Sequence, residues 1–275
     1  MYLQRIVWTI FNISGDGYII VNIKDLSVPE YSLDNSNPFL GVENPIYNGG
    51  LGYYYKTDDK IISLMTGREY SIDDFNEVYS MKEIENKEEF LREIQARTKK
   101  RLLRNVVRKS LRGSLERWYI DGGNCGSIAC AIVMKYYRDY VSEMYVRDDK
   151  LNQNSLIRLM QDYVGVGSTN TTHLVSGLNT YLQRMGINNY ARYSDTFDFD
   201  LIKNKIDSNR PVIVDTDNHP TYEEHWIIAH GYSINTIGNE LQFFIIVNNG
   251  WGENNIYLEY EANRRYLDDL VYLNK

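Results

Sequence analysis

The chain has 275 residues, 43% hydrophobic and 24% charged, enough for one large or two small domains with a real core. Its net charge of −7 argues against nucleic acid or an anionic membrane as the main partner. No apolar run is long enough to span a membrane, so no membrane insertion is expected.

Residues 1–80 read as short strands and turns. Residues 3–12 and 18–23 alternate or are β-branched, and Gly15-Asp16-Gly17 between them is a hairpin signal. Pro29, residues 35–38 and residues 48–52 mark further loops. The first residues lack the charged start, long apolar stretch and cleavage site of a signal peptide. The expected location is therefore cytoplasmic, or secreted if a leader precedes this sequence.

Residues 81–117 are rich in Glu, Lys, Arg and Leu, with no Pro and no Gly before Gly113. Apolar residues from Ile84 to Leu111 recur at roughly helical spacing, acidic residues come early and basic ones late. This predicts a long charged helix, a linker or an exposed activation segment.

Residues 118–275 predict helices over 125–140, 156–163, 172–184 and 198–208, the third capped by Thr171 or Thr172. Strands follow at 211–215, 225–232, 241–248 and 255–260. Helices first and strands after give an α+β class.

Chemistry concentrates in three segments. Gly122-Gly123-Asn124-Cys125-Gly126 places a cysteine at a helix start, where backbone N–H groups and the helix dipole favour a thiolate and can hold an oxyanion. Cys130, five residues on, reads as a buried apolar residue, and a disulfide between the two is not expected. His225 opens an apolar strand and is the candidate base. His230 points to the opposite face, His219 lies in a loop beside Pro220, and His173 sits at a helix start. Asn248, at the end of a third apolar segment, is the candidate to orient the imidazole, with Trp251 as its cover. The catalytic set is thus Cys125, His225 and Asn248, supported by Asn124, Gly126, Asn249 and Trp251. No cofactor or metal is expected.

Together these segments resemble streptopain-like cysteine peptidases. Residues 125–137 are similar to that family's nucleophile helix, which is Ala-rich and ends in Met-Lys-Tyr. His225-Trp226-Ile227-Ile228-Ala229-His230-Gly231 is similar to its His-Ala-Phe-Val-Ile-Asp-Gly segment, and Val247-Asn248-Asn249-Gly250-Trp251-Gly252 to its Val-Asn-Trp-Gly-Trp-Gly. Upstream, residues 17–22 and 29–32 resemble its pro-domain. The compact size of 118–275 is closer to the double-glycine leader peptidases, which share the papain-like fold. The resemblance implies a papain-like catalytic domain over 118–275 and a β-rich pro-domain over 1–80 that inhibits it. It further implies a zymogen that processes itself and acts on a protein or peptide substrate. One departure stands out: 118–124 contains no glutamine for the oxyanion hole. The same residues also fit a papain-fold acyltransferase of the transglutaminase-like kind, or a weakened binding or inhibitory protein.

Overall fold

A computed structural model describes residues 8–13, 16–72, 92, 104–111, 115–120, 124–167, 169–217, 224–237 and 240–274. The Gly15 end of the predicted hairpin turn, Gly122, Gly123 and His219 lie outside these residues, as does most of the predicted charged helix.

Helix α1 (Cys125–Tyr140) is the centre of the region from residue 118 onward. Its Ala, Ile, Val and Met residues have high helix propensity or apolar bulk, and 11 of its 16 residues are buried. A helix that is apolar around most of its circumference has to be covered on several sides. Helix α2 (Gln153–Val164) packs on it, and α3 (Thr171–Arg184) packs on α2. The sheet covers another side through β10 (Val212–Asp217) and β11 (Glu224–Ile237). Asn152 and Asn170 cap α2 and α3 by accepting from the Ser155 and His173 N–H groups, so the cap of α3 lies one residue before the predicted Thr171. Helix α4 (Phe199–Asp207) is capped by Asp198, and a short α5 (Tyr260–Asn263) follows the sheet.

Among the described residues the main sheet has ten antiparallel strands, nine in a single row and a tenth that pairs with β11 off that row. Its order is β1 (Trp8–Asn12), β2 (Tyr18–Asn22), β3 (Glu30–Ser32), β13 (Ile256–Glu259), β12 (Glu240–Asn248), β11, β10, β14 (Leu270–Asn274), β9 (Tyr190–Ser194). A second sheet of four strands holds β4 (Pro45–Tyr47), β5 (Tyr53–Lys56), β6 (Lys60–Ser63) and β7 (Glu69–Ser71). The α+β class and the β-rich N-terminal region are as expected. The first strands nevertheless join the main sheet, because β3 pairs with β13 in the register Ile256↔Ser32, Tyr257↔Tyr31, Leu258↔Glu30.

One expectation is corrected. Within the predicted long charged helix over 81–117, residues 104–110 form strand β8, which pairs with the second half of β11. Strand β10 covers β11 only as far as Ala229 and leaves the rest of that edge open. An open edge offers a row of unpaired backbone groups, and the β-branched pair Val106-Val107 suits a strand. Pairing with a distant strand thus overrides the local helical spacing. Residues 73–91 and 93–103 lie outside the described residues.

Candidate active site

Cys125 is the first residue of α1. Burial raises its thiol pKa above the ordinary value. The backbone N–H groups of Trp226 and Gly126 point at the sulfur and oppose that rise, while the Asp215 carboxylate adds to it. The Trp226 contact sets the thiol beside the residue that follows His225. The start of α1 and the β10–β11 pair therefore meet at Cys125 and Trp226, one residue after His225. Thr169 completes this corner: its carbonyl accepts from the Trp226 indole N–H at 2.8 Å.

His225 is buried, at 3% exposure, and sits opposite Thr216 in the β10–β11 register. Its Nε2 lies 2.7 Å from the Asn249 carbonyl oxygen. A carbonyl can only accept, so Nε2 carries the proton and Nδ1 keeps the lone pair. Trp251 stacks on the imidazole, with ring centroids 3.6 Å apart and planes 10° apart. Burial pushes the imidazole pKa down to about 4, against a smaller upward pull from the Asn249 carbonyl. Burial thus favours the neutral form of each group, the thiol and the unprotonated imidazole.

The loop after β12 sets this geometry. Asn249 Oδ1 accepts from the N–H groups of Trp251 (2.8 Å) and Glu253 (3.1 Å), and Asn249 Nδ2 donates to Glu253 Oε2 at 2.7 Å. This is the turn an asparagine side chain favours. Gly250 adopts a φ of +71°, a left-handed conformation that glycine enters without strain, and packs against the imidazole edge. The turn aims the Asn249 carbonyl at His225 and lays Trp251 over the ring.

The expected role of Asn248 is not the one seen. Its Nδ2 donates to the Glu116 carbonyl at 2.8 Å, and its Oδ1 accepts from the Gly250 N–H at 2.9 Å. Asn248 builds the loop, and the neighbouring Asn249 backbone meets the imidazole. The two asparagines look alike in sequence, since they stand side by side between an apolar strand and Gly250. Asn124 is buried and accepts a hydrogen bond from Gln161 Nε2 at 2.8 Å. Gln161 lies on α2, downstream of the nucleophile, where no sequence pattern marked it. Glu253 was also missed, although its place four residues after Asn249 is the only hint of the turn. Of the other histidines, His230 is buried and His173 exposed. Both cysteines are free thiols. Among the described residues no cluster of His, Cys, Asp and Glu could hold a metal ion, and no helix is long and apolar enough to cross a membrane.

A helix that carries the candidate nucleophile, packed on an antiparallel sheet that carries the candidate base, is the architecture of cysteine peptidases. Residues 113–272, more than half of the chain, match the model of the Peptidase C39-like family, and the chain belongs to that family. No curated protein matches the chain. A crystal structure of a proposed C39-like peptidase from Bacillus anthracis is similar at 12% identity, covering 61% of this chain and 98% of its own, with a TM-score of 0.39. A likeness at that level carries no argument.

Proposed function

We propose that this chain is a cysteine endopeptidase with Cys125 as nucleophile and His225 as base. The observation that carries the proposal is the imidazole held by the Asn249 carbonyl at Nε2 and covered by Trp251. That bond leaves Nδ1 as the proton acceptor. As Sγ adds to a peptide carbonyl, the thiol proton passes to Nδ1 and the carbonyl electrons move onto oxygen. The intermediate then collapses, and His225 returns the proton to the leaving amine. Water, deprotonated by His225, hydrolyses the thioester and frees the thiol. Asn248 acts in this scheme through the loop it braces.

The test is digestion of casein under a thiol reductant by the whole protein and by Cys125→Ala. Loss of cleavage to background in the variant is expected, and equal cleavage by both would overturn the proposal.

The zymogen form of this reading has residues 1–80 leave after a cut between 83 and 117. The pairing of β3 with β13 supports a different role, in which the N-terminal region remains part of the working enzyme. A protein cut between 73 and 103 distinguishes them. A rise in casein cleavage as the N-terminal piece departs would favour the zymogen.

A further inference from the structure

The carbonyl that meets the His225 imidazole belongs to a turn, and one side chain clamps that turn. We propose that Glu253 is a positioning residue for His225: in its protonated form it locks Asn249 so that the Asn249 carbonyl stays on the imidazole, and its ionisation slackens the lock. The consequence for catalysis rests on the peptidase reading above.

Asn249 and Glu253 are tied by three hydrogen bonds. The Asn249 N–H donates to the Glu253 carbonyl (3.1 Å), the Glu253 N–H donates to Asn249 Oδ1 (3.1 Å), and Asn249 Nδ2 donates to Glu253 Oε2 (2.7 Å). The first two use backbone groups of residue 253, and any residue there could make them. The third, the shortest, needs a side-chain acceptor. Between the two residues lie Gly250 and Gly252, with φ of +71° and +88°, so the intervening backbone has little stiffness of its own. The side-chain clamp therefore fixes the peptide whose carbonyl oxygen lies 2.7 Å from His225 Nε2.

The surroundings of Glu253 decide which protonation state clamps. Burial, and then the Glu30 carboxylate on β3, disfavour its charge, while the Asn249 amide and the Arg117 guanidinium favour it less strongly, so its pKa stands at about 7. The hydroxyls of Tyr18 on β2 and Tyr53 on β5 lie within its field as well. Arg117 is half exposed and also meets Asp34 Oδ2 at 3.3 Å. A neutral carboxyl accepts from Asn249 Nδ2 through one oxygen and carries its proton on the other. The stronger bond that a carboxylate would make to the amide does not outweigh burial and Glu30, because the balance still favours the neutral acid. Once ionised, the group is driven from Glu30 towards water and Arg117, off the Asn249 amide. The lock is thus present below about pH 7 and lost as pH rises through it. Glu253 takes no proton from the thiol and acts through Asn249.

The test uses the full chain and Glu253→Gln, since glutamine keeps one acceptor oxygen and one donor end at every pH, as the neutral acid does. In protein labelled with ¹⁵N-histidine, the His225 Nε2 signal of the wild type should show an inflection near pH 7, well above the titration of the ring itself near 4. Glu253→Gln should remove that inflection. In cleavage of a casein-derived peptide, the ratio of Glu253→Gln to wild-type kcat/KM should rise by up to about tenfold between about pH 6 and 8, the fall in the protonated fraction of an acid with a pKa of about 7. The inference is overturned if the wild type lacks the inflection, if the variant retains it, or if the ratio stays flat or falls with pH. Absence of cleavage by the wild type at every pH would overturn the peptidase reading, and the His225 signal would still decide whether Glu253 holds the imidazole's partner.

Discussion

Trp251 stacks on one face of the His225 imidazole, and its removal exposes the Asn249–His225 bond to water. A stacked aromatic pair contributes about 0.5–1.5 kcal/mol beyond its buried area. Trp251→Ala should therefore lower kcat/KM on a casein-derived peptide by roughly three- to tenfold. The thiol and imidazole also make a statement about pH. Because burial raises the Cys125 pKa and lowers that of His225, the iodoacetamide rate should climb with pH from acid to alkaline conditions. A plateau extending down to about pH 4 would reveal a standing ion pair instead. Stability follows the same logic. His225 and His230 fall to about 4 in the folded protein from an ordinary 6.5. Between those values the unfolded chain binds more protons, so this contribution is present above 6.5 and lost as pH falls towards 4. Glu253 runs the other way. Burial, and then the nearby Glu30 carboxylate, raise it from 4.5 to about 7, so the folded state holds the extra proton and stability is lost as pH rises across that window. Urea unfolding should show Glu253→Gln gaining on the wild type as pH climbs from about 4.5 to 7. The places of Cys125 at a helix start and His225 at a strand start were legible in the sequence because each opens an apolar run. The choice between Asn248 and Asn249 was not, because a backbone carbonyl leaves no mark in a residue's identity.

At the scale of elements, helix boundaries followed composition closely, since α1 to α4 are amphipathic or apolar segments with side-chain caps or turn residues at their ends. Strand β8 escaped for the opposite reason: its place is created by a gap on β11, more than a hundred residues away in sequence. The position of Gln161 depends likewise on how α2 lies against its neighbours. Gly177 on α3 permits that approach. A Cβ there would press into the Tyr163 carbonyl of α2 far inside van der Waals distance. Gly177→Ala should push the helices apart and cost about 1–3 kcal/mol, measured by thermal unfolding.

At the scale of the whole molecule, the N-terminal strands are tied to the loop after β12 by more than β-pairing. Asn35 Nδ2 donates to the Asn254 carbonyl, Asn254 Nδ2 donates to the Leu115 carbonyl, and Asn263 links the Gly50 N–H to the Pro29 carbonyl. Glu30, fully buried, gathers the hydroxyls of Tyr18, Tyr47 and Tyr53 and the Leu51 N–H, which joins the two sheets. Burying a carboxylate is costly unless its oxygens are satisfied, and these four donors meet that need. Breaking the cluster would strand the charge. If the chain is cut by trypsin at Lys99, Lys100 or Arg101, the two pieces should travel together on gel filtration until a denaturant separates them. Two separate peaks in native buffer would contradict this.

The pairing of Ser32 with Ile256 also sets an order of events in synthesis. Some 220 residues lie between the two strands, so β3 has no partner on β13 until the ribosome has made nearly all of the chain. Contacts this distant in sequence form slowly, because a long loop must close before they return any stabilisation. The turn from Asn249 to Glu253, which holds the imidazole, is translated just before β13 and braced by it. Helix α1 emerges much earlier than this turn. The corner between Cys125 and His225 therefore lacks its Asn249 carbonyl and Trp251 cover until late in synthesis, and β3 finds β13 only after that.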